Sequence, residues 1–226
     1  MTNLQNFEFF HHKIQLPLQS LQQTMKIESD IMRKILFALC MLLSGIFAYG
    51  QSADDLRMIS SFKFYGIDFS EVKVYAADET PDEFVDVFGR INKLMLAESD
   101  KYLGTLKDRL GKYSMKTDIM PSLDAIKEID KDNLIVYSEV DSFTEEQLAE
   151  ILKNLNIQDE TGTGLVMIAN CLDKSRGKGV FNFVFFDVST RNILFSWEES
   201  GRAGGFGLRN YWAGSVHNAF KHIHIK

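Results

Sequence analysis

Aromatic and β-branched residues alternate closely with polar ones over Phe62-Lys63-Phe64-Tyr65-Gly66-Ile67-Asp68-Phe69, and again over Val72-Lys73-Val74-Tyr75. A two-residue period of this kind predicts strands, with Gly66 marking a bulge or bend. The period changes at Thr80-Pro81-Asp82-Glu83. Thr80 is suited to cap a helix, Pro81 to occupy its first position, and Glu83 to complete a capping box. Phe84, Phe88, Ile91, Met95, Tyr102, Leu106 and Leu110 then recur at helical spacing, so an amphipathic helix follows, with a break near Gly104.

Pro121, Leu123, Ile126 and Ile129 predict a short helix, and Leu134-Ile135-Val136-Tyr137 a brief buried strand. Thr144 with Gln147 forms a second capping box, ahead of the apolar face Leu148, Ile151, Leu152 and Leu155. Three strands come next, at Leu165–Leu172, Val180–Val188 and Ile193–Ser200. Ser189-Thr190-Arg191-Asn192 reads as a hairpin loop between the last two, so residues 165–200 form a meander. Leu208, Trp212, Val216, Ala219, Phe220 and Ile223 share one face of a closing helix. The expected fold class is α+β, in the order β-β-α-(α)-β-α-β-β-β-α. Helices would pack on a mixed or mainly antiparallel sheet of about five strands.

The amino-terminal fifty residues do not fit this domain. Arg33-Lys34 precedes fifteen uncharged residues, Ile35–Tyr49, and small residues at Ala48 and Gly50 come before Gln51. These are the parts of a secretory signal peptide cleaved between Gly50 and Gln51. As a helix the apolar run spans roughly 23 Å, short of the ~30 Å hydrocarbon core, which disfavours a retained anchor. Met32 stands just before the basic pair, so Met1–Ile31 reads as a mis-assigned extension, Met32–Gly50 as the signal and Gln51–Lys226 as one mature domain. Cys40 lies inside the apolar run after Phe37-Ala38-Leu39, which is not a lipid-attachment context, and Cys171 alone remains in the mature chain. The expected location is the periplasm or the outer membrane's periphery.

Composition narrows the function. With 25 Lys and Arg against 31 Asp and Glu, the 226-residue chain carries a formal charge of −6. That balance disfavours nucleic acid as a partner. Gly201-Arg202-Ala203-Gly204-Gly205-Phe206-Gly207 precedes the last helix but has neither the Walker nor the dinucleotide spacing, so a flexible connection is the simpler reading. Arg202 and Arg209 flank it and are placed to hold an anion. His217 and His222 are five apart and do not share a helical face, so together with His224 they make a poor metal site. Cys171 sits in a buried strand, where a thiol is usually inert. No cofactor is expected. Asp68 and Asp187 end strands and are the candidates for acid–base work in a hydrolase, although turn chemistry explains them equally. The preferred binding patch is Arg202, Arg209, Tyr211 and Trp212, since Arg and aromatic residues are enriched at interface hot spots. Core packing is the competing role for Trp212.

Phe186-Asp187-Val188-Ser189-Thr190 followed by Ile193-Leu194-Phe195-Ser196-Trp197 resembles a hairpin of bacterial envelope domains, the TolB amino-terminal and curli-secretion-lipoprotein-like groups. There an Asp-x-x-Thr turn precedes an apolar strand ending in Trp. Phe64-Tyr65-Gly66-Ile67-Asp68-Phe69-Ser70 is similar to the opening of other exported envelope proteins. The resemblance spans about residues 60–224 and implies a non-enzymatic α/β domain working through protein contacts. The chain departs from these groups in lacking a lipobox cysteine, a pore-forming segment and propeller repeats. The expected function is therefore an exported interaction module with another envelope protein as partner. An exported hydrolase and a small-anion binder at Gly201–Gly207 are the alternatives.

Overall fold

Thr80 and Thr144 begin their helices as their capping boxes require. In each, the threonine hydroxyl accepts from the backbone N–H three residues on, and the Glu83 or Gln147 side chain accepts from the cap's own N–H. The computed structural model describes residues 59–111, 114–159 and 161–224. The expectations for Met1–Ile31, the signal at Met32–Gly50, Cys40 and the Gly50–Gln51 cleavage lie outside the described residues.

The described chain runs β1 (Ser61–Asp68), β2 (Lys73–Tyr75), α1 (Pro81–Ala97), a π-helical turn (Asp100–Gly104), α2 (Thr105–Leu110), β3 (Ser114–Thr117), α3 (Met120–Ala125), two 3-10 turns, β4 (Ile135–Val136), α4 (Glu145–Asn154), β5 (Thr163–Asp173), β6 (Lys178–Asp187), β7 (Ile193–Arg202) and α5 (Leu208–His222). The helix break expected near Gly104 is the π-helical turn. The strand at Ser114–Thr117 has no strong apolar alternation, and the sequence reading did not find it.

The expected α+β fold with a mainly antiparallel sheet is incorrect. All seven strands join one sheet, in which β1, β2, β3, β4 and β5 are mutually parallel and only β6 and β7 run against their neighbours. The error lies in β1 and β2, whose nearness in sequence looks like a hairpin. They do not pair with each other. Because β6 occupies one edge of β5 along its whole length, β1 and β2 share the other, β1 beside Gly164–Ile168 and β2 beside Cys171–Asp173. They lie end to end as one interrupted strand. β3 and β4 then pair with the outer edges of β1 and β2, each reached by a helical crossover that returns the chain to a parallel start.

Central β5 is covered on both faces, which explains its continuous apolar sequence. Leu165, Met167 and Ala169 face the larger core, with α1 (Phe84, Phe88, Ile91) and α5 (Trp212, Val216, Phe220). Val166 and Ile168 face the smaller one, with α4 (Leu148, Ile151, Leu152). Gly66 has φ +88°, and the β1–β5 register shifts between Phe64 and Ile67. A Cβ there would lie 2.8 Å from Asn92 Oδ1. The missing side chain lets buried Asn92 of α1 bond both backbone groups of Ile67, at 2.8 Å each. The bulge expected at Gly66 thus serves to dock a helix.

Candidate functional site

Among the described residues, α4 and the end of α3 at Ala125 cover only part of the second sheet face, and a groove lies beyond them. A bulge in β5 sets its floor. Ala169 pairs with Phe181 and Cys171 with Val180, so Asn170 is the extra residue. Around the floor lies a cavity of about 280 Å³ at the carboxyl ends of β2 and β5, walled by Glu139, Val140, Asp141 and Ser142 of the β4–α4 connection. Two bonds hold that wall to the sheet. Asn170 Nδ2 donates to the Asp141 carbonyl at 3.2 Å, and the Ser142 hydroxyl to Glu198 Oε2 at 2.7 Å.

The groove changes in charge along its length. At its mouth, Arg176 reaches Asp173 at 3.5 Å and Glu139 at 3.9 Å. Lys178 stands there too, directly opposite Arg202 in the β6–β7 register. Asp141 and Glu198, which also line it and are exposed, meet no cation within ion-pair distance among the described residues. Cys171 lies on the floor, and burial pushes its thiol up to about 11. The thiol is thus held in its protonated, unreactive form.

On the other side of the same sheet end lies the loop between β7 and α5. The glycines in Gly201–Gly207 make neither a phosphate cradle nor a loose connection. A Cβ on Gly201 would run into the Ser215 carbonyl of α5, and one on Gly214 into the Gly204 carbonyl. Ala203 N–H donates to Gly177 at 2.7 Å, Gly204 N–H to Tyr211 at 3.0 Å, and Tyr211 N–H to Gly207 at 2.9 Å. The loop is thereby tied to both the β5–β6 turn and the helix. It projects Phe206, whose side chain is 96% exposed.

The four residues expected to form a patch separate. Trp212 is 0% exposed, in edge contact with Tyr211 at 5.0 Å, and belongs to the core. Its ring buries on the order of 200 Å², worth roughly 5 kcal/mol, which outweighs the ~1–3 kcal/mol cost of leaving its Nε1 without an acceptor. Tyr211 is half-buried beneath the Lys174 ammonium, 5.6 Å from the ring centre, and Lys174 is paired with Glu79. Arg209 folds back onto Asn210 Oδ1 at 2.9–3.0 Å. Arg202 is exposed, and its backbone carbonyl accepts from Asn218 at 2.8 Å. Sequence reasoning missed Phe206, the most exposed of the large apolar residues among those described. Its only signal was an aromatic side chain among four glycines.

Asp68 and Asp187 are not brought together. Asp68 pairs with Ile168 and Asp187 with Thr163 on opposite edges of β5, roughly 17 Å apart along the strand. Asp187 organises its turn, accepting from Ser189 and Thr190, and the Ser189 hydroxyl holds its carboxyl below the usual range. Asp68 is buried and accepts from the Ser70 hydroxyl and amide. No acid–base pair of the kind a hydrolase needs is assembled from them. His217 packs on Tyr102 at 5.4 Å, and burial lowers its pKa, whereas His222 contacts the Ser200 carbonyl at 2.8 Å. Among the described residues no cluster of His, Cys, Asp or Glu side chains is arranged to hold a metal ion.

No protein-family model and no curated protein sequence matches the chain. Among solved structures, the chain shows a slight likeness to the LpoB C-terminal domain from Salmonella enterica. The match has 11% identity and a TM-score of 0.24, over 64% of this chain and 83% of that one.

Proposed function

We propose that this chain is an exported, non-catalytic protein-interaction module of the cell envelope, and that its mature domain, Gln51–Lys226, binds its partner at the carboxyl end of the parallel strands. The observation that carries this reading is Phe206. An apolar ring exposed at 96% on a loop bonded to two other elements has no role in the fold. It gives a preorganised anchor of the kind that dominates binding energy at interfaces. Arg202 and Arg209 flank it, so the partner surface carries an apolar pocket with carboxylates at its rim. The signal-like segment before Gln51 supports location in the periplasm or at the periphery of the outer membrane.

Two experiments test this reading. A photo-crosslinking benzophenone residue at Phe206, in the full chain expressed in its own cells, is expected to form one protein adduct. The same residue at exposed Leu96 on α1 is expected to form none. Equal labelling at both positions, or none at 206, removes the reading. The intact mass of the envelope-derived protein tests export, with a chain beginning at Gln51 as the expected result.

A further inference from the structure

Among the described residues β7 is an edge of the sheet, and its outer backbone groups can be placed residue by residue. Just past its end, Ala203 N–H donates to the Gly177 carbonyl at 2.7 Å. Antiparallel pairs alternate between bonded and non-bonded positions. In the regular register from Lys178–Arg202 to Phe185–Phe195, Phe195, Trp197, Glu199 and Gly201 therefore turn their backbone groups toward β6. Ser196, Glu198, Ser200 and Arg202 turn theirs outward. The last two are covered by α5, where His222 meets the Ser200 carbonyl and Asn218 the Arg202 carbonyl, each at 2.8 Å. At the other end Leu194 is the extra residue of a bulge, and the turn at residues 189–192 carries the chain back toward β6. The open stretch is thus Leu194–Glu198. Among the described residues nothing bonds to the outward backbone groups of Ser196 and Glu198.

Native folds blunt such edges with Lys, Pro, a bulge or a covering element. Leu194–Glu198 contains no Lys and no Pro, and its bulge and its cover lie at the two ends. Phe195 and Trp197, on the face toward the larger core, are only half-buried and pack on each other at 5.5 Å. Trp197 also stacks on Phe183 at 5.0 Å, so the pair is held in place by the sheet.

From this geometry we infer that the edge pairs with the same edge of a second copy of the chain, antiparallel and about a two-fold axis at Ser196. The open stretch is centred on Ser196, so both copies use it in full. Phe195 then stands opposite the second copy's Trp197 on each side of the axis, at non-bonded positions where side chains come closest. Aromatic pairs across strands are stabilising. Ser196 meets Ser196 and Glu198 meets Leu194, so no like charges are opposed. Other registers conflict with the charges or with α5. A slide of two residues toward α5 sets Phe195 against Glu199, and Leu194 against Ser200, whose carbonyl His222 already occupies. Two residues further, Glu198 faces Glu198, which destabilises the pairing. The contact closes at two copies. About seven residues a side is well below the ~20–30 of a stable interface, so the dimer is weak and concentration-dependent. The inference goes beyond the interaction role at Phe206 and does not depend on it.

Sedimentation of the full chain is expected to show a monomer–dimer equilibrium with a Kd on the order of 100 µM. Between about 30 µM and about 1 mM, on either side of that Kd, amide exchange is expected to slow at Ser196 and Glu198. Phe195 and Trp197, already bonded to β6, change less. Ser196→Lys sets two ammonium groups across the axis and is expected to weaken the dimer roughly fivefold, with the melting temperature of the monomer unchanged. A chain that stays monomeric at the higher concentration overturns the inference. So does a Ser196→Lys variant of unchanged melting temperature that dimerises as tightly as the wild type. Protection of Ser196 and Glu198 that arises only when envelope extract is added, at fixed chain concentration, assigns the edge to another protein's strand and also overturns it. The exchange measurement on the wild-type chain decides the matter even if the variant fails to fold. A missing adduct at Phe206 bears on the interaction role alone.

Discussion

Asp68 shows how one buried residue is tolerated for its local bonds. It is 1% exposed at the end of β1, and its burial pushes the carboxyl above its ordinary value, against the opposing pull of the Ser70 hydroxyl and amide. A raised folded-state pKa means that the charged form is the disfavoured one. The contribution to stability is therefore full below the unfolded pKa and is lost as pH rises through the folded pKa. Asp68→Asn keeps an acceptor for Ser70 and removes the charge. Its melting temperature is expected to exceed that of the wild type at neutral pH, with the difference closing as pH falls below the usual carboxylate range. A difference that stays constant with pH would assign the effect to something other than ionisation.

At the scale of elements, glycines separate into those that hold contacts and those that do not. Gly201 sits against the backbone of α5, so Gly201→Ala must displace the helix from the sheet. Overpacking of this kind costs about 1–3 kcal/mol. Gly89 in the middle of α1 has nothing within 4 Å of where its Cβ would be. Gly89→Ala is expected to stabilise by about 0.5–1 kcal/mol through helix propensity alone. Urea unfolding of the two variants checks both signs, and parallel shifts in one direction would contradict the helix–loop packing described. The Thr80 and Thr144 caps were legible because a capping box is a local bond pattern, complete within four residues. Gly66 was legible as a bulge, but Asn92, the residue it accommodates, was not, because their contact joins β1 to α1.

For the whole molecule, the order of rows decides stability. β5 is paired along both edges and buried on both faces, whereas β7 pairs on one edge only among the described residues. Local opening begins where backbone bonds are exposed. Amide hydrogen exchange is therefore expected to be slowest in Leu165–Leu172 and faster in the outer half of the Ile193–Arg202 hairpin arm. Slower exchange in β7 than in β5 would mean that its free edge is covered in solution, as an added strand would do.

The sequence by itself determined the elements whose signals are short-ranged: the two capped helices, the meander of β5, β6 and β7, and the closing helix with its buried face. It also carried the pattern of an export signal. It did not determine the direction of the sheet, because two strands close in sequence read as a hairpin whether they fold back or run on. Only the long-range pairing of β5 with both β1 and β2 made the sheet mainly parallel. The site depended on tertiary structure for the same reason. Asp141, Asn170 and Glu198 come from three separate segments and line one groove because α4 leaves that end of the face uncovered. Of the two roles open to Trp212, the structure selects core packing, and it adds Phe206, for which the sequence offered no reading. Close packing of α5 on the sheet buries the larger ring, and the glycine-tied loop leaves the smaller one in solvent.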